Sequence, residues 1–302
     1  MKKCLLGFDI GGTKCAVILG QTEGENVRVI DRLALATPIG PTEALASLEE
    51  IAKKLLTRNR CQPEAIGISC GGPLDSRRGV VLSPPNLPGW DNVEICKRFS
   101  QTFGITARLQ NDANACAYAE WKWGAGRGVA SLVFLTFGTG MGAGLVLDGR
   151  LYSGASDFAG EIGHMRLADD GPLGYGKRGS FEGFCSGAGM VRLAQERGLV
   201  ITDAQQIFEM DDKGNALASK VIAITAEQLG RGLAVIVDVL NPDMIVIGSI
   251  FARQREKLWP IAEKVLRAEA LAGALEVCRI VPAALGEQIG DLAALSIAAP
   301  PT

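Results

Sequence analysis

Histidine is nearly absent: His164 is the only one in 302 residues, so no multi-histidine metal site is open to this chain. The eight cysteines, at 4, 15, 61, 70, 96, 116, 185 and 278, include no Cys-x-x-Cys pair, which removes the spacing of compact zinc and dithiol motifs. Scattered in this way they suit reduced, buried thiols in a cytoplasmic protein. Neither sign of charge is in excess, since 31 Lys and Arg face 33 Asp and Glu for a net −2. No long-range field then favours nucleic acid or a membrane surface, and any partner is recognised locally. The N-terminus lacks the apolar stretch and cleavage site of a signal peptide. Val129 to Leu147 runs without a charge, close to the ~20 residues of a membrane span, but Gly138, Gly140, Gly142 and Gly144 interrupt it. We read it as strand, glycine turn, strand.

What is present is globular composition, 47% hydrophobic and 21% charged, over a length that suits two domains. The residues from Lys3 to Ile10 and from Cys15 to Leu19 are apolar runs around Gly11-Gly12-Thr13, which predicts a hairpin. Apolar residues at 44, 45, 48, 51, 52, 55 and 56 predict a helix over 42–57, with Thr42 as a cap. A buried strand over 65–70 runs into Gly71-Gly72-Pro73, and the prolines at 84, 85 and 88 exclude regular structure around them. Further helices are expected over 92–103, from Asp112 to Trp123, and over 186–197, 216–240 and 253–272, with a last one from about 288. Strands are expected over 105–109, 243–247 and 278–281. Alternating strands and helices imply an α/β architecture. Glycine turns recur near 11 and near 140, each between two apolar strands, so two similar halves are expected. Two such turns can hold a polyphosphate from both sides of a cleft.

Five segments in order carry a resemblance: Asp9-Ile10-Gly11-Gly12-Thr13-Lys14, Gln110-Asn111-Asp112-Ala113-Asn114, Gly138-Thr139-Gly140-Met141-Gly142-Ala143-Gly144, Ala159-Gly160-Glu161-Ile162-Gly163-His164, and Asn241-Pro242-Asp243-Met244-Ile245-Val246-Ile247-Gly248. Over nearly its whole length the chain resembles the ROK family of bacterial sugar kinases. The resemblance implies the actin-like ATPase (ribonuclease H-like) fold, duplicated domains with a cleft between them. It divides the chain into a small domain, 1–120 with the C-terminal helix 288–302, and a larger one, 121–287.

The implied activity is ATP-dependent phosphorylation of a hexose or N-acetylhexosamine, glucose-like and at its 6-hydroxyl. The alternative is a catalytically weak sugar-binding or sensor protein of the same family. A repressor of the family would carry a helix-turn-helix before the first motif, where only eight residues precede Asp9; neither nucleic acid nor membrane is expected as a partner. A cytoplasmic homodimer or higher homo-oligomer is expected.

Asp112 is implied as the catalytic base, although its place at a strand-to-helix junction suits a helix cap equally. Asn111, Glu161, His164 and Glu182 are implied to bind the sugar, with Asn86 a further candidate that also suits a plain turn. Gly11, Gly12 and Thr13 would meet phosphates from one side, Gly138, Thr139 and Gly140 from the other, and Gly248 would lie near the adenosine. Asp9 would contact Mg²⁺ through water. Lys14 reads as either a phosphate clamp or a solvated lysine.

Two departures stand out. The family's glycine triplet reads Gly248-Ser249-Ile250, which restricts backbone approach to a nucleotide. The family's zinc cysteines are replaced by Leu173, Tyr175 and Ser180, so no structural zinc is expected. The loop from Gly171 to Gly183 should instead be held by packing of Leu173, Tyr175 and Phe181.

Overall fold

The computed structural model describes residues 2–299. They form two compact units: the first takes the chain up to Gly128, Leu151–Ala159 and the residues from Ala284 on, the second Val129–Arg150 and Gly160–Ala283. A division at 120 would cut a helix that here runs to Trp123, and it would leave the short return at 151–159 in the wrong unit.

The first unit opens with β1 (Cys4–Ile10), β2 (Lys14–Glu23) and β3 (Asn26–Ala36), followed by α1 (Pro41–Asn59) and β4 (Ala65–Cys70). Then come the two-residue strands β5 (Leu74–Asp75) and β6 (Val80–Val81), α2 (Ile95–Phe103), β7 (Ala107–Asn111) and α3 (Asp112–Trp123). The second unit contains β8 (Leu132–Phe137), β9 (Met141–Leu147), β10 (Arg150–Tyr152), β11 (Leu173–Gly174), β12 (Lys177–Arg178) and α4 (Phe181–Phe184). It continues through α5 (Gly187–Glu196), α6 (Ala204–Asp212), α7 (Ala216–Leu240), β13 (Met244–Ile247), α8 (Ser249–Glu269), α9 (Ala272–Val277) and β14 (Arg279–Pro282). The chain then re-enters the first unit as α10 (Ile289–Ala298).

The expected duplication is visible in the sheets. One has the order β3-β2-β1-β4-β7 and the other β10-β9-β8-β13-β14. In each, a tight antiparallel hairpin (β1–β2, β8–β9) lies beside strands that run parallel to its first member. The charge-free run is therefore β8, turn and β9, and among the described residues no helix is long and apolar enough to cross a membrane.

Both faces of the first sheet are covered, as a mostly parallel centre requires. Alternation sends Leu6, Phe8, Ile10, Val17 and Leu19 to one face with Leu45, Leu48 and Leu55 of α1, and Phe8 stacks on Phe99 with centroids 4.2 Å apart. The other face, with Leu5, Ala16 and Ile18, receives Ala294, Leu295 and Ala298 of α10. That helix lies so close that glycine is required beneath it: a Cβ on Gly67 would stand 2.0 Å from the Ala294 carbonyl oxygen and 2.4 Å from the Ala298 nitrogen.

A buried carboxylate fixes the same region. Glu120, fully enclosed near the end of α3, accepts hydrogen bonds from the backbone N–H groups of Ala125 (2.8 Å), Ala284 (2.9 Å) and Leu285 (2.9 Å). It thus ties the stretch by which the chain leaves the first unit to the one by which it returns. Cys4 and Cys61 form a disulfide, correcting the expectation of reduced thiols throughout; the Glu64 N–H to Cys4 carbonyl bond of 2.9 Å brings the residues after α1 to the start of β1. The other six cysteines are free.

Because the atoms facing Gly67 belong to helix backbone and cannot swing aside, Gly67→Ala is expected to destabilise the protein by at least ~2 kcal/mol. Urea unfolding followed by tryptophan fluorescence measures this. Gly273→Ala, where an added Cβ meets nothing within 4 Å, is the control and should leave the midpoint unchanged or higher.

Candidate active site

In the first unit the ends of three parallel strands are in step, Ile10 beside Cys70 and Cys70 beside Asn111. Carboxyl ends of parallel strands are where open α/β sheets present ligand-binding groups, and Asp9 and Asp112 both emerge there. Asn111 is the cap of α3: its Oδ1 accepts from the N–H of Ala113 (2.9 Å) and of Asn114 (3.4 Å). This leaves the amide NH₂, beside Gly72, as the part that can meet a ligand. Asp112 is thereby released from the capping role that its position equally allowed, and it occupies the first helical turn. Its Oδ1 accepts from the neighbouring Ala113 N–H (2.8 Å). The side chain reaches water yet is ringed by protein, and that partial desolvation pushes its carboxyl above the usual range.

Asp9 is pushed up to about 6, first by burial and then by the Asp112 and Asp291 carboxylates; Arg32 and Lys14 offset this in part. Asp291 is held at 2.8 Å by the Arg32 guanidinium. The β1–β2 turn closes with the Gly11 N–H donating to the Lys14 carbonyl at 3.1 Å. Asn86 lies against that turn, for a Cβ on Gly12 would come within 2.5 Å of its carbonyl oxygen. Asp9, Gly11, Gly12, Thr13, Asn86, Asn111 and Asp112 thus belong to one end of one unit.

The second unit gathers the rest into two groups. Glu182 on α4 leans on the β8–β9 turn: its Oε2 accepts from the Met141 N–H at 3.1 Å, and a Cβ on Gly140 would stand 2.9 Å from the same oxygen. Glu161 accepts a hydrogen bond from the Tyr175 hydroxyl at 3.1 Å, and the Tyr175 ring lies on His164 with centroids 4.2 Å apart. The other group surrounds a cavity of about 980 Å³, large enough for a nucleotide, that borders Gly138, Thr139, Ser249 and Ile250. Gly248 caps α8 behind this wall, with its N–H on the Leu135 carbonyl. Ser249 adopts the left-handed φ of +52° that a glycine takes freely, so the altered triplet keeps its backbone path at a cost of ~1 kcal/mol or more. Sequence reading missed Arg192, Gln205 and Arg253 around this cavity. Asp203 and Gln206, a capping box three residues apart, were an available signal for α6.

The loop expected to replace the zinc site is held differently from expectation. Phe181 is fully buried, but Leu173 and Tyr175 are exposed, at 45% and 42%. The buried Ser180 hydroxyl donates to the Gly174 carbonyl and accepts from the Gly183 N–H, both at 3.1 Å, while Arg192 donates to the Leu173 carbonyl at 2.7 Å. Zinc does not fit this donor set. Cys185 is enclosed with its thiol on the Thr225 carbonyl, and no group of three or more metal-ligating side chains occurs among the described residues.

Two sheets of like order, each opening on a hairpin with a glycine turn, with carboxylates at the strand ends, are the actin-like ATPase fold. The chain belongs to the ROK family, whose model matches residues 5–300. It is 30% identical to the glucokinase of Thermotoga maritima, over 97% of this chain and 96% of that one. Among solved structures it is similar to a ROK hexokinase from Thermus thermophilus (31% identity, 99% and 98% of the two chains, TM-score 0.85). It is also similar to a ROK family glucokinase from Streptomyces griseus in complex with glucose and AMPPNP (28% identity, 98% and 99%, TM-score 0.77).

The raised Asp9 carboxyl has a consequence for stability. An unfolded aspartate releases its proton near 3.8, Asp9 in the fold near 6, so between those values only the folded state keeps the proton. Stability therefore falls as pH rises from about 4 to 6, and by pH 7 the full penalty, up to about 3 kcal/mol, is present. Asp9→Asn in the ligand-free protein is expected to flatten that slope and to raise stability at pH 7, with no gain below pH 4. Chemical denaturation at a series of pH values measures it.

Proposed function

We propose that this protein is an ATP-dependent sugar kinase, moving the γ-phosphoryl group of MgATP to the 6-hydroxyl of a glucose-like hexose or N-acetylhexosamine. The observation that carries the reading is Asp112, a water-accessible carboxylate of raised proton affinity with few internal partners, at the strand ends of a chain that matches the ROK family along its length. A base of this kind accepts the hydroxyl proton as the sugar oxygen attacks the γ-phosphorus; the bond from phosphorus to the bridging oxygen breaks and ADP leaves. Partial desolvation helps here, because it brings the carboxylate's proton affinity closer to that of the group it serves.

Asn111 through its NH₂, with Asn86, Glu161, His164 and Glu182, binds the ring hydroxyls. Gly12 and Thr13, and Thr139 and Gly140, present backbone N–H groups and the Thr139 hydroxyl to the phosphates, in turns closed by the Gly11 and Gly138 N–H groups on the Lys14 and Gly140 carbonyls. Gly248 and its neighbour Ser249 border the nucleoside. Asp9 would hold the Mg²⁺ of MgATP through water, and the adjoining Asp112 and Asp291 carboxylates make the field there favourable to a dication. The metal supplies charge compensation to the phosphate oxygens. A cytoplasmic homodimer or higher homo-oligomer belongs to the same reading.

ADP release measured over a panel of hexoses and N-acetylhexosamines tests the proposal: turnover with at least one sugar is expected, and ATP hydrolysis indifferent to every sugar would defeat it. Asp112→Asn should retain sugar binding while turnover falls by ~10²–10⁴. The purified protein should also hold no stoichiometric zinc and keep its activity after chelation and return of Mg²⁺. One zinc per chain, with activity restored only by zinc, would overturn that expectation.

A further inference from the structure

We infer that Tyr175 is a positioning residue that holds Glu161 and His164 in their binding arrangement, an inference that rests on the sugar-binding reading of those two side chains. Tyr175 has a φ of +50°, in the left-handed region where a bulky side chain is strained. Its neighbours are Gly174 and Gly176, and glycine at 175 would follow the same backbone path without strain. The side chain is therefore retained for what it touches. It adds little to the core, being 42% exposed.

What it touches is specific. The hydroxyl donates to Glu161 Oε2 at 3.1 Å, and the ring lies over the His164 imidazole at 4.2 Å between centroids, tilted by 40°. Between these two residues the backbone comes up to the ring, so that a Cβ on Gly163 would meet Tyr175 Cε2 at 2.8 Å. One aromatic side chain thus braces both ends of the 3-10 turn Ile162–His164 and its preceding glutamate. Glu161 and His164 are otherwise exposed and free to change rotamer, and ordering them before the ligand arrives removes that cost from binding.

His164 is the only histidine, so its imidazole C–H signals in a proton NMR spectrum need no assignment. Tyr175→Gly should move them downfield by removing the ring current, keep or raise the thermal midpoint, and raise the KM for the acceptor sugar at least about tenfold, with kcat changed much less. The sugar is glucose or N-acetylmannosamine, whichever supports turnover. Tyr175→Phe should leave the imidazole signals near their original place and raise KM about fivefold through loss of the hydroxyl alone. Unmoved imidazole signals in Tyr175→Gly, or a KM equal to that of the parent protein in both variants, would overturn the inference. Glu161→Gln separates the two levels: if it raises KM while the Tyr175 variants do not, only the role of Tyr175 falls; if it too leaves KM unchanged, the sugar-binding reading of Glu161 falls with it.

Discussion

Three parallel strands of the first unit end in step, and this register is what the unit's chemistry depends on. With Ile10 beside Cys70 and Cys70 beside Asn111, the last polar residue of β1 and the first of α3 are delivered to the same end of the sheet. A slip of one residue would turn Asp9 into the core and an apolar neighbour out of it. The register is secured from behind by α10, whose approach to Gly67 leaves no room for a side chain. The first turn of the same helix carries Gly290, where a Cβ would stand 3.1 Å from an Asp9 carboxylate oxygen, and Asp291, which adds to the charge Asp9 feels. Packing and part of the electrostatics at the strand ends are therefore set by one helix.

The charges gathered there work against stability. Asp112 and Asp291 repel the partly desolvated Asp9 carboxylate, and Arg32 and Lys14 offset this only in part. A fold selected for stability alone would place apolar or oppositely charged groups at these positions. Retaining the carboxylates makes sense when a cation and a proton donor arrive with the substrates, since each relieves part of the repulsion.

Much of this was legible from residue order. The hairpin around Gly11-Gly12-Thr13, the helix face at 44, 45, 48, 52 and 55, and the turn inside the charge-free run all followed from apolar spacing and glycine placement, because burial and turn geometry act locally. Other elements were opaque for physical reasons. β3 is an edge strand in which Asn26, Arg28, Asp31 and Arg32 interrupt the apolar residues, so its half-exposed pattern does not stand out. β5 and β6 are two residues each and exist only through their pairing. Gly72-Pro73 and the prolines after them mask it further. At the site, the resemblance pointed to Asp9 and Asp112 as candidates, but nothing local shows that Asn111 takes the cap of the helix that Asp112 begins. Nor does any spacing show that Cys4 meets Cys61, which depends on how α1 returns to the sheet.

The loop from Gly171 to Gly183 is held without a disulfide by several contacts of different kinds. Covalent or metal tethers act at one point, whereas here the task is divided among groups of different chemistry. Ser180, enclosed and both donating and accepting, closes the turn internally; Arg192 and the Arg178–Asp170 pair fasten its exposed edges. Phe181 anchors the following helix against Gly232, where a Cβ would clash with the ring at 2.4 Å. Tyr175 has a strained backbone and a ring half in water, so its contribution to folding is small. A residue that costs the fold and gives it little in return is best explained by the side chains it orders, and those are Glu161 and His164.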